Sequence, residues 1–263
     1  MKEIELEILQ TALLADYCHL VTSDKQQRFE NLKDSELSVS TFSFYTSVSA
    51  VFSSKIEGEA IEIDSYIKHK MLGIKFLPDY TQKIDDLYEA YEFAQNQSLE
   101  KKTVKQAHAL LTKHILQKVQ RGKIRNGMMY VMTPQGKIEY VACAPGSVKQ
   151  EMKKLYNDIA KLLSAELSFK ESFFFASMIH LIFVKIHPFD DGNGRTVRLL
   201  EKWFLAQKLG NNAWFIQSEK HYYNQHQTYY TNIRLMGLEY DLLDYTKALP
   251  FLLMLPESLS IEN

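Results

Sequence analysis

The chain has 263 residues, 46% of them hydrophobic and 24% charged, and a formal net charge of -1. This composition supports one large or two small domains with a buried core and argues against a disordered chain. The balanced charge also argues against nucleic-acid binding driven by bulk electrostatics, so such a role would need a local basic patch.

Two features of the sequence predict a cytoplasmic protein. Cys18 and Cys143 show no disulfide-framework spacing and fit a reducing compartment, and the acidic N-terminus lacks the pattern of a signal peptide. The most apolar window, residues 173–186, is shorter than a membrane span and contains His180 and Lys185. We therefore expect a core helix there and no membrane partner.

Apolar residues at helical spacing predict several helices in the first third of the chain. The first covers residues 4–15 and precedes a polar stretch, residues 22–36, that is either partly helical or a loop. The second starts at Ser40 and stops at Gly58; its serines and threonines make it intrinsically weak, so packing must support it. Two more helices follow, at residues 63–71 and 84–94.

The middle of the chain is predicted to contain one helix and one β-hairpin. Residues 104–119 form a helical stripe, and His108 on its apolar face fits a hydrogen-bonded core histidine better than a ligand. Two short segments, 128–132 and 138–142, flank Thr-Pro-Gln-Gly at residues 133–136, which is a type I turn sequence. They form the only convincing strand pair in the sequence.

Two capping patterns predict where the next helices begin. Ser-x-x-Gln at residues 147–150 opens a helix through residue 162, and Ser-x-x-Glu at residues 168–171 opens a helix that leads to His187. His180 lies within this second helix. Because no cysteine is nearby, we expect a satisfied core histidine there rather than a zinc ligand.

Residues 187–198, which we call the signature loop, read His-Pro-Phe-Asp-Asp-Gly-Asn-Gly-Arg-Thr-Val-Arg. Pro188 blocks helix continuation, so His187 should leave its helix, and Gly192 and Gly194 allow a ligand to approach closely. An apolar-periodic helix starts directly afterwards. The start of this helix is predicted to bind oligophosphate. It has free backbone N–H groups, the positive end of the helix dipole and two arginines three residues apart.

The predicted signature helix stops near Gly210. The aromatic-rich residues 221–236 are predicted to be helical and to end at Gly237. A last apolar helix is expected at residues 242–255, interrupted by Pro250. We find no internal repeat and no low-complexity linker in the sequence.

The signature loop resembles that of the Fic family, His-x-Phe-x-(Asp or Glu)-Gly-Asn-Gly-Arg-x-x-Arg, and every specified position is filled. The resemblance implies a mainly α-helical Fic-type bundle with one short β-hairpin, the flap, beside the active site. We expect an N-terminal helical region over residues 1–98, a catalytic core over 99–237 and a helical tail over 238–263.

The resemblance also assigns roles within the signature loop. His187 is implied to be the catalytic base, Phe189 the anchor of the loop in the core, and Asp191 the ligand of Mg²⁺. The implied anion hole consists of Gly192, Asn193 and Gly194, and the implied ligands of the outer phosphates are Arg195 and Arg198. Asp190 falls at a variable position of the pattern and receives no role.

A second motif resembles the inhibitory motif of the family, (Ser or Thr)-x-x-x-Glu-(Gly or Asn), at residues 53–58. Ser53 and Glu57 are four residues apart and share one helical face. The resemblance implies the subclass whose inhibitory helix precedes the core, and we expect Glu57 to pair with Arg198. The alternative is an ordinary surface glutamate near a helix end.

Two further segments resemble the family less closely. Residues 140–145 resemble the end of the flap, although its usual proline run is reduced to Pro145. Tyr229 and Tyr230 resemble the helix after the signature loop, but Gln225 and its neighbour stand where the family often has Asn-Arg. The resemblance therefore identifies no adenine-binding residue here.

The resulting hypothesis is an autoinhibited, Mg²⁺-dependent protein adenylyltransferase that moves AMP from ATP to a hydroxyl of an unidentified target protein or of this chain itself. The hairpin edge either adds the target as a strand or is simply solvated. One rival is removal of AMP from a modified protein, or transfer from another nucleotide, at the same site. A second rival is a non-catalytic nucleotide-sensing or partner-binding module.

Overall fold

The computed structural model describes residues 4–39, 42–75, 78–132 and 138–260. It is mainly α-helical, which confirms the predicted fold class. The helices of the first half are α1 (Leu14–Leu20), α2 (Asp24–Glu30), α3 (Phe44–Ile56), α4 (Ile63–Leu72), α5 (Pro78–Gln95) and α6 (Lys101–Leu111). Those of the second half are α7 (Pro145–Ser164), α8 (Phe169–Ile186), α9 (Asn193–Leu209), α10 (Ser218–Asn224), α11 (His226–Arg234), α12 (Leu249–Leu252) and α13 (Met254–Glu257).

Helix α8 is the centre of the bundle. Most of its side chains are buried, including three consecutive phenylalanines, Phe173 to Phe175, so it is apolar on all sides as a helix surrounded by others must be. Its predicted capping box is confirmed: the Ser168 hydroxyl accepts the Glu171 N–H, and the Glu171 carboxylate accepts the Ser168 N–H. Helices α7 and α9 pack against it.

The N-terminal helix predicted at residues 4–15 is wrong, because helix α1 begins only at Leu14. The Asp158 carboxylate of α7 accepts the backbone N–H groups of Glu7, Ile8 and Leu9 at 2.7–3.0 Å. These donors are therefore used across the fold rather than within a helix. The apolar residues of this segment instead pack on the core in a non-helical conformation.

Helix α3 begins at Phe44 rather than at Ser40, and residues 40 and 41 lie outside the described residues. The Ser43 hydroxyl caps the helix by accepting the Thr46 N–H, and the Ser43 N–H donates to the Tyr88 hydroxyl at 2.9 Å. Gly58, at φ 96°, ends the turn after this helix as predicted. Burial of most α3 side chains supplies the stability that its serine-rich sequence lacks.

The predicted hairpin is confirmed as an antiparallel pair, β1 (Tyr130–Met132) and β2 (Ile138–Val141). Tyr130 pairs with Val141 and Met132 with Ile138, with an irregular register between Val131 and Met132. The turn predicted at residues 133–136 lies outside the described residues.

The predicted end of helix α6 and the predicted start of helix α7 are also wrong. Helix α6 ends at Leu111 instead of near residue 119, because the Asp86 carboxylate takes the backbone N–H of His114 and the chain turns away. Helix α7 begins at Pro145 rather than after Ser147, since proline suits the first position of a helix.

The helix predicted at residues 221–236 is broken at Gln225 into α10 and α11, and residues 242–255 form 3-10 turns and two short helices.

One hydrophobic cluster extends from Leu9 to Leu259 and includes residues of every predicted region. The division at residues 98 and 237 therefore stays a prediction. Among the described residues, none of the helices combines the length and the apolar character needed to cross a bilayer.

Candidate active site

His187 lies immediately after α8, at its C-cap, with φ 53° and ψ 62°. In the described part of the chain it is the one non-glycine residue with a positive φ. This left-handed conformation costs a residue with a Cβ roughly 1–2 kcal/mol. Surrounding contacts must supply that energy, as is common where a side chain is aimed at a ligand.

Arg125, which precedes the hairpin, holds the His187 backbone in this conformation. Its buried guanidinium donates to four carbonyls, those of His187 at 2.7 Å, Gly127 at 2.7 Å, Cys143 at 2.5 Å and Ile186 at 3.2 Å. Its own backbone N–H donates to Pro188 O at 3.0 Å. One side chain thus ties the end of α8 to the base of the hairpin. The sequence analysis missed this function, since nothing local distinguishes Arg125 from a surface arginine.

The hydrogen bonds of the His187 ring leave one nitrogen as a base. Nδ1 lies 3.2 Å from Val184 O, and since a carbonyl only accepts, Nδ1 carries the proton in the neutral ring and Nε2 has a lone pair. Burial lowers the pKa of His187 and the Arg125 cation lowers it further, against opposing effects of Val184 O, Glu57 and Asp191. The ring is therefore neutral at neutral pH.

His108 and Phe189 hold the signature loop against the core. The two rings stack with centroids 3.7 Å apart, and Phe189 is buried in the core. His108 Nδ1 accepts the Gly122 N–H and His108 Nε2 donates to Asp191 O, both within 2.9 Å. Burial lowers the pKa of His108 to about 4, so it stays neutral. The prediction of a hydrogen-bonded core histidine is confirmed.

Asn193 closes the signature loop with its side chain. Its Oδ1 accepts the Phe189 N–H and its Nδ2 donates to Phe189 O, each at 2.9 Å, and the residue is 2% exposed. The Nδ2 group has a second N–H, which these two bonds leave unused. An anion at this place would therefore meet backbone N–H groups and this one side-chain N–H.

Gly192 and Gly194 form the start of α9, where backbone N–H groups face the site. Gly192 has φ 76°, and a Cβ there would lie 2.6 Å from Thr112 Cγ2. Both the backbone conformation and the lack of space therefore exclude a side chain at this position. A Cβ on Gly194 would collide with Glu57 Oε1 and lie 3.1 Å from Arg198 Nη1. The start of a helix can accept an anion through its free backbone N–H groups, and here the Glu57 carboxylate lies at its edge.

These elements enclose a cavity of about 330 Å³ between the signature loop, the hairpin and α11. The predicted site residues that line it are Glu57, His187, Asp191, Asn193, Gly194 and Arg198. Its other walls come from Met129, Tyr130, Val131 and Tyr140 of the hairpin, Val184 and Lys185 of α8, Asp190, and Tyr229, Tyr230, Ile233 and Arg234 of α11. Ser53, Phe189, Gly192 and Arg195 are not among the lining residues.

Glu57 pairs with Arg198, as the motif predicted. Arg198 Nη2 donates to Glu57 Oε1 at 2.6 Å, and Arg198 also donates to Ser53 Oγ at 2.8 Å and Ser53 O at 2.9 Å. Burial by itself would raise the pKa of Glu57, but the charges of Arg198 and Arg195 outweigh it and lower that pKa. Glu57 is therefore a carboxylate at neutral pH, and both motif residues bind one arginine.

Arg195 points away from the cavity and pairs with Glu59, a contact that the sequence analysis missed. Arg195 Nη2 lies 2.8 and 2.7 Å from the two Glu59 carboxylate oxygens, and both side chains are almost fully buried. The turn at Gly58 thus separates two carboxylates that reach the two signature arginines. Glu59 engages only Nη2 of this guanidinium, and the buried Nε makes no hydrogen bond among the described residues. The phosphate role of Arg195 stays a prediction.

A buried network extends from the cavity wall into the core. His180 Nδ1 lies 2.7 Å from Glu201 Oε2, and His180 Nε2 lies 2.9 Å from the Tyr229 hydroxyl that reaches the cavity. The Tyr222 hydroxyl donates to the same carboxylate. His180 is thus a satisfied core histidine, as predicted, and the network holds the ring of Tyr229 in place.

Asp191 fits a magnesium ligand. Its Oδ1 accepts the Gly192 N–H at 2.6 Å, and within the described residues no donor contacts Oδ2. Mg²⁺ is commonly held by one or two carboxylates together with phosphate oxygens and water, so one exposed carboxylate beside an anion cradle suffices. The described residues contain no cluster of three or more His, Cys, Asp or Glu side chains that could hold a metal by themselves.

Comparison with known sequences gives one family. Residues 98–205, which include the hairpin, α8 and the signature loop, match the sequence model of the Fic/DOC family. A comparison with curated protein sequences found no match.

Comparison with solved structures gives the same family name. A Fic family protein from Desulfovibrio desulfuricans G20 has a TM-score of 0.75 and 18% identity, over 97% of this chain and 74% of that one. A Fic domain containing signaling protein from Bacteroides thetaiotaomicron has a TM-score of 0.63 and 16% identity, over 94% and 92%. Fic-1 from C. elegans has a TM-score of 0.62 and 16% identity, over 94% of this chain and 67% of that one. At these identities the likeness concerns the fold.

Proposed function

Since this chain belongs to the Fic/DOC family, we propose that it is a protein adenylyltransferase, which moves AMP from ATP to a hydroxyl group of a protein. The observation that carries this proposal is that the free Nε2 of His187 and the open N-terminus of α9 face one cavity. A base and an anion cradle in one cavity are what phosphoryl-group chemistry requires.

In the proposed reaction the hydroxyl oxygen of the target attacks the α-phosphorus of ATP. The new P–O bond forms as the bond to the bridging oxygen breaks, and pyrophosphate leaves with that electron pair. His187 Nε2 accepts the hydroxyl proton, and the N–H groups at the start of α9 stabilise the charge on the phosphate oxygens. Magnesium held by Asp191 would supply neutralisation of the phosphate charge.

The same cavity supports autoinhibition. Glu57 lies where an anion would approach the start of α9, and it already occupies Arg198, the arginine that the family resemblance assigns to an outer phosphate. A bound triphosphate would meet carboxylate repulsion at that end. A displacement of the α-phosphate by about 1 Å can cost on the order of a hundredfold in rate, so ATP need not be excluded for the enzyme to be slow.

Removal of AMP from a modified protein is the second candidate. The lowered pKa of Glu57 keeps its carboxylate ionised beside His187, where it can orient a water molecule toward a phosphodiester. This reaction would need Glu57, whereas transfer would be slowed by it. The two activities therefore respond in opposite directions to Glu57→Gly.

The test is incubation of lysate with ATP and either Glu57→Gly or the double variant Glu57→Gly/His187→Ala, followed by mass mapping of modified peptides. We expect AMP adducts on serine, threonine or tyrosine with the first variant and none with the second. Equal adducts with both would remove His187 from the mechanism. If neither variant produced adducts while both bound ATP, the proposal would give way to a nucleotide-sensing module.

A further inference from the structure

A cluster of six lysines lies at one end of helices α6 and α7, outside the cavity. We call it the lysine patch, and it consists of Lys101, Lys102, Lys105, Lys123, Lys149 and Lys153. These residues line two adjoining grooves of about 760 and 360 Å³ that share Lys101, Lys105 and Lys153. The patch is a local concentration of positive charge on a chain whose net charge is -1.

The positive charge of the lysine patch is not neutralised by carboxylates within the described part of the chain. Within the described residues, none of its six ammonium groups forms an ion pair or a hydrogen bond with the rest of the chain. The one carboxylate that lines the grooves, Glu100, accepts a backbone N–H in the capping box of α6. The nearby Glu151 pairs with Lys154 and accepts the Tyr240 hydroxyl.

This arrangement opposes helix stability in two ways. Lys101 and Lys102 stand in the first turn of α6, where the helix dipole disfavours cations. Lys101 and Lys105, and likewise Lys149 and Lys153, are like charges four residues apart on one helix, which repel each other. A stable fold would gain from glutamate at these positions, so their charge suits a ligand rather than the fold.

The patch adjoins the part of the protein that shapes the active site. Ile124 and Asn126 line one groove, and between them Arg125 holds the His187 carbonyl and the base of the hairpin. Lys149 stands in α7, which begins at Pro145 directly after that hairpin. Arg125 thus connects the groove with the cavity, and a target segment that continued from the cavity toward this side would reach the lysines.

We propose that the lysine patch binds an acidic segment of the protein whose hydroxyl is modified, and this inference rests on the proposed function. Each lysine pair spans one helical turn, roughly 6 Å, which equals about two residues of an extended peptide. One half-buried aromatic, Tyr156, lines the grooves, whereas binding of single-stranded nucleic acid uses aromatic platforms for successive bases. A short acidic peptide matches the dimensions and the charge.

The test measures binding without requiring catalysis. A labelled glutamate decapeptide is titrated by fluorescence anisotropy against the full chain, against Lys105→Glu/Lys153→Glu, and against Lys33→Glu/Lys68→Glu. Both double variants shift the net charge from -1 to -5, since each substitution subtracts two charges, and the control lysines are exposed residues outside the patch. We expect the patch variant to bind about tenfold more weakly, and the control variant to bind within about twofold of the parent.

Two results would overturn the proposal. Equal losses in both variants would mean that only overall charge matters, and tighter binding of an equally charged oligonucleotide than of the peptide would mean a nucleic-acid surface. An unchanged melting temperature checks that the patch variant folds, and Lys105→Gln/Lys153→Gln gives a milder version of the same test. Because binding is read without ATP, failure of the patch and failure of adenylyl transfer are separate outcomes.

Discussion

Replacing Glu57 with glycine should release Arg198 and increase AMP transfer. In the structure this carboxylate makes one short contact, 2.6 Å to Arg198 Nη2, and crowds the position above Gly194. Removing it leaves the Ser53 hydroxyl and carbonyl as the partners of the guanidinium. Arg198 then keeps its place but has a free donor at the cavity.

The size of the increase follows from the contact that is lost. A charge-assisted hydrogen bond contributes about 1.5–3 kcal/mol, and a phosphate oxygen that replaces Glu57 on Arg198 would regain it. At about 1.4 kcal/mol per factor of ten, the expected increase in kcat/KM is roughly 10- to 100-fold. The same loss should lower the stability of the free protein by about 1–3 kcal/mol, because Arg198 is only 1% exposed.

The assay is initial-rate incorporation of α-labelled AMP at equal protein and Mg²⁺-ATP concentrations. Glu62→Gly is the matched control, since Glu62 also pairs with a cation, Lys55, but its side chain is 76% exposed and lies outside the cavity. We expect the control to behave as the parent chain. Added Mg²⁺-ATP should raise the melting temperature of Glu57→Gly more than that of the parent, because phosphate then pairs with Arg198.

An unchanged rate in Glu57→Gly, together with an unchanged response to Mg²⁺-ATP in the melting experiment, would refute the competition between carboxylate and phosphate. Faster transfer in the Glu62→Gly control as well would point to general loosening of the N-terminal region. Either result would leave the assignment of His187 untouched.

Four other predictions concern the signature loop and its support. His187→Ala should abolish transfer in the Glu57→Gly background while ATP affinity, measured by titration, stays within about threefold. Burial and Arg125 lower the pKa of His187 from its ordinary 6.5, so the base stays deprotonated at pH 6.5 and above. The rate should therefore be constant above pH 6.5 and fall only at more acidic pH, and a fall that begins above pH 6.5 would contradict this. Arg125→Lys should reduce kcat on the order of a hundredfold with little change in KM, since the three donors of one ammonium cannot hold the four carbonyls that the guanidinium holds. Asp191→Ala should lower the rate and its dependence on Mg²⁺ together, as a Mg²⁺ titration would measure.

The sequence could predict those features whose physical cause lies within the same short stretch of residues. Pro188 and the two glycines dictate a loop that opens a helix, and the Ser168 to Glu171 capping box lies within one turn. Ser53 and Glu57 share a face because the helix repeat puts them there. The Glu57 to Arg198 contact followed from this face and from the family resemblance.

The features that could not be predicted depend on residues far apart in sequence. Asp158 binds the N–H groups of residues 7–9 about 150 positions away, and this converts a helical pattern into a non-helical segment. Asp86 ends α6 in the same manner. The pair of Glu59 with Arg195 was also missed, although an acidic residue on each side of Gly58 was a visible signal.

Asn193 illustrates a different limit. The sequence pattern indicates that the residue belongs to the loop but does not tell whether its amide faces a ligand or the loop itself. Both of its hydrogen bonds go to the Phe189 backbone, so its function is to fix the turn. Residue type and position placed Asn193 in the loop, while the direction of its side chain required the structure.

The most direct measurement of the central claim compares ATP labelled at the α-phosphate with ATP labelled at the γ-phosphate, using Glu57→Gly and a lysate. Because kinases of the lysate transfer the γ-label by themselves, each signal is the excess over lysate without the added chain. The proposed chemistry predicts that this excess on protein is α-label only, that the excess γ-label appears in pyrophosphate, and that both vanish with Glu57→Gly/His187→Ala. An excess of γ-label on protein would contradict the account, because attack would then occur at the outer phosphate and the cavity would be that of a kinase.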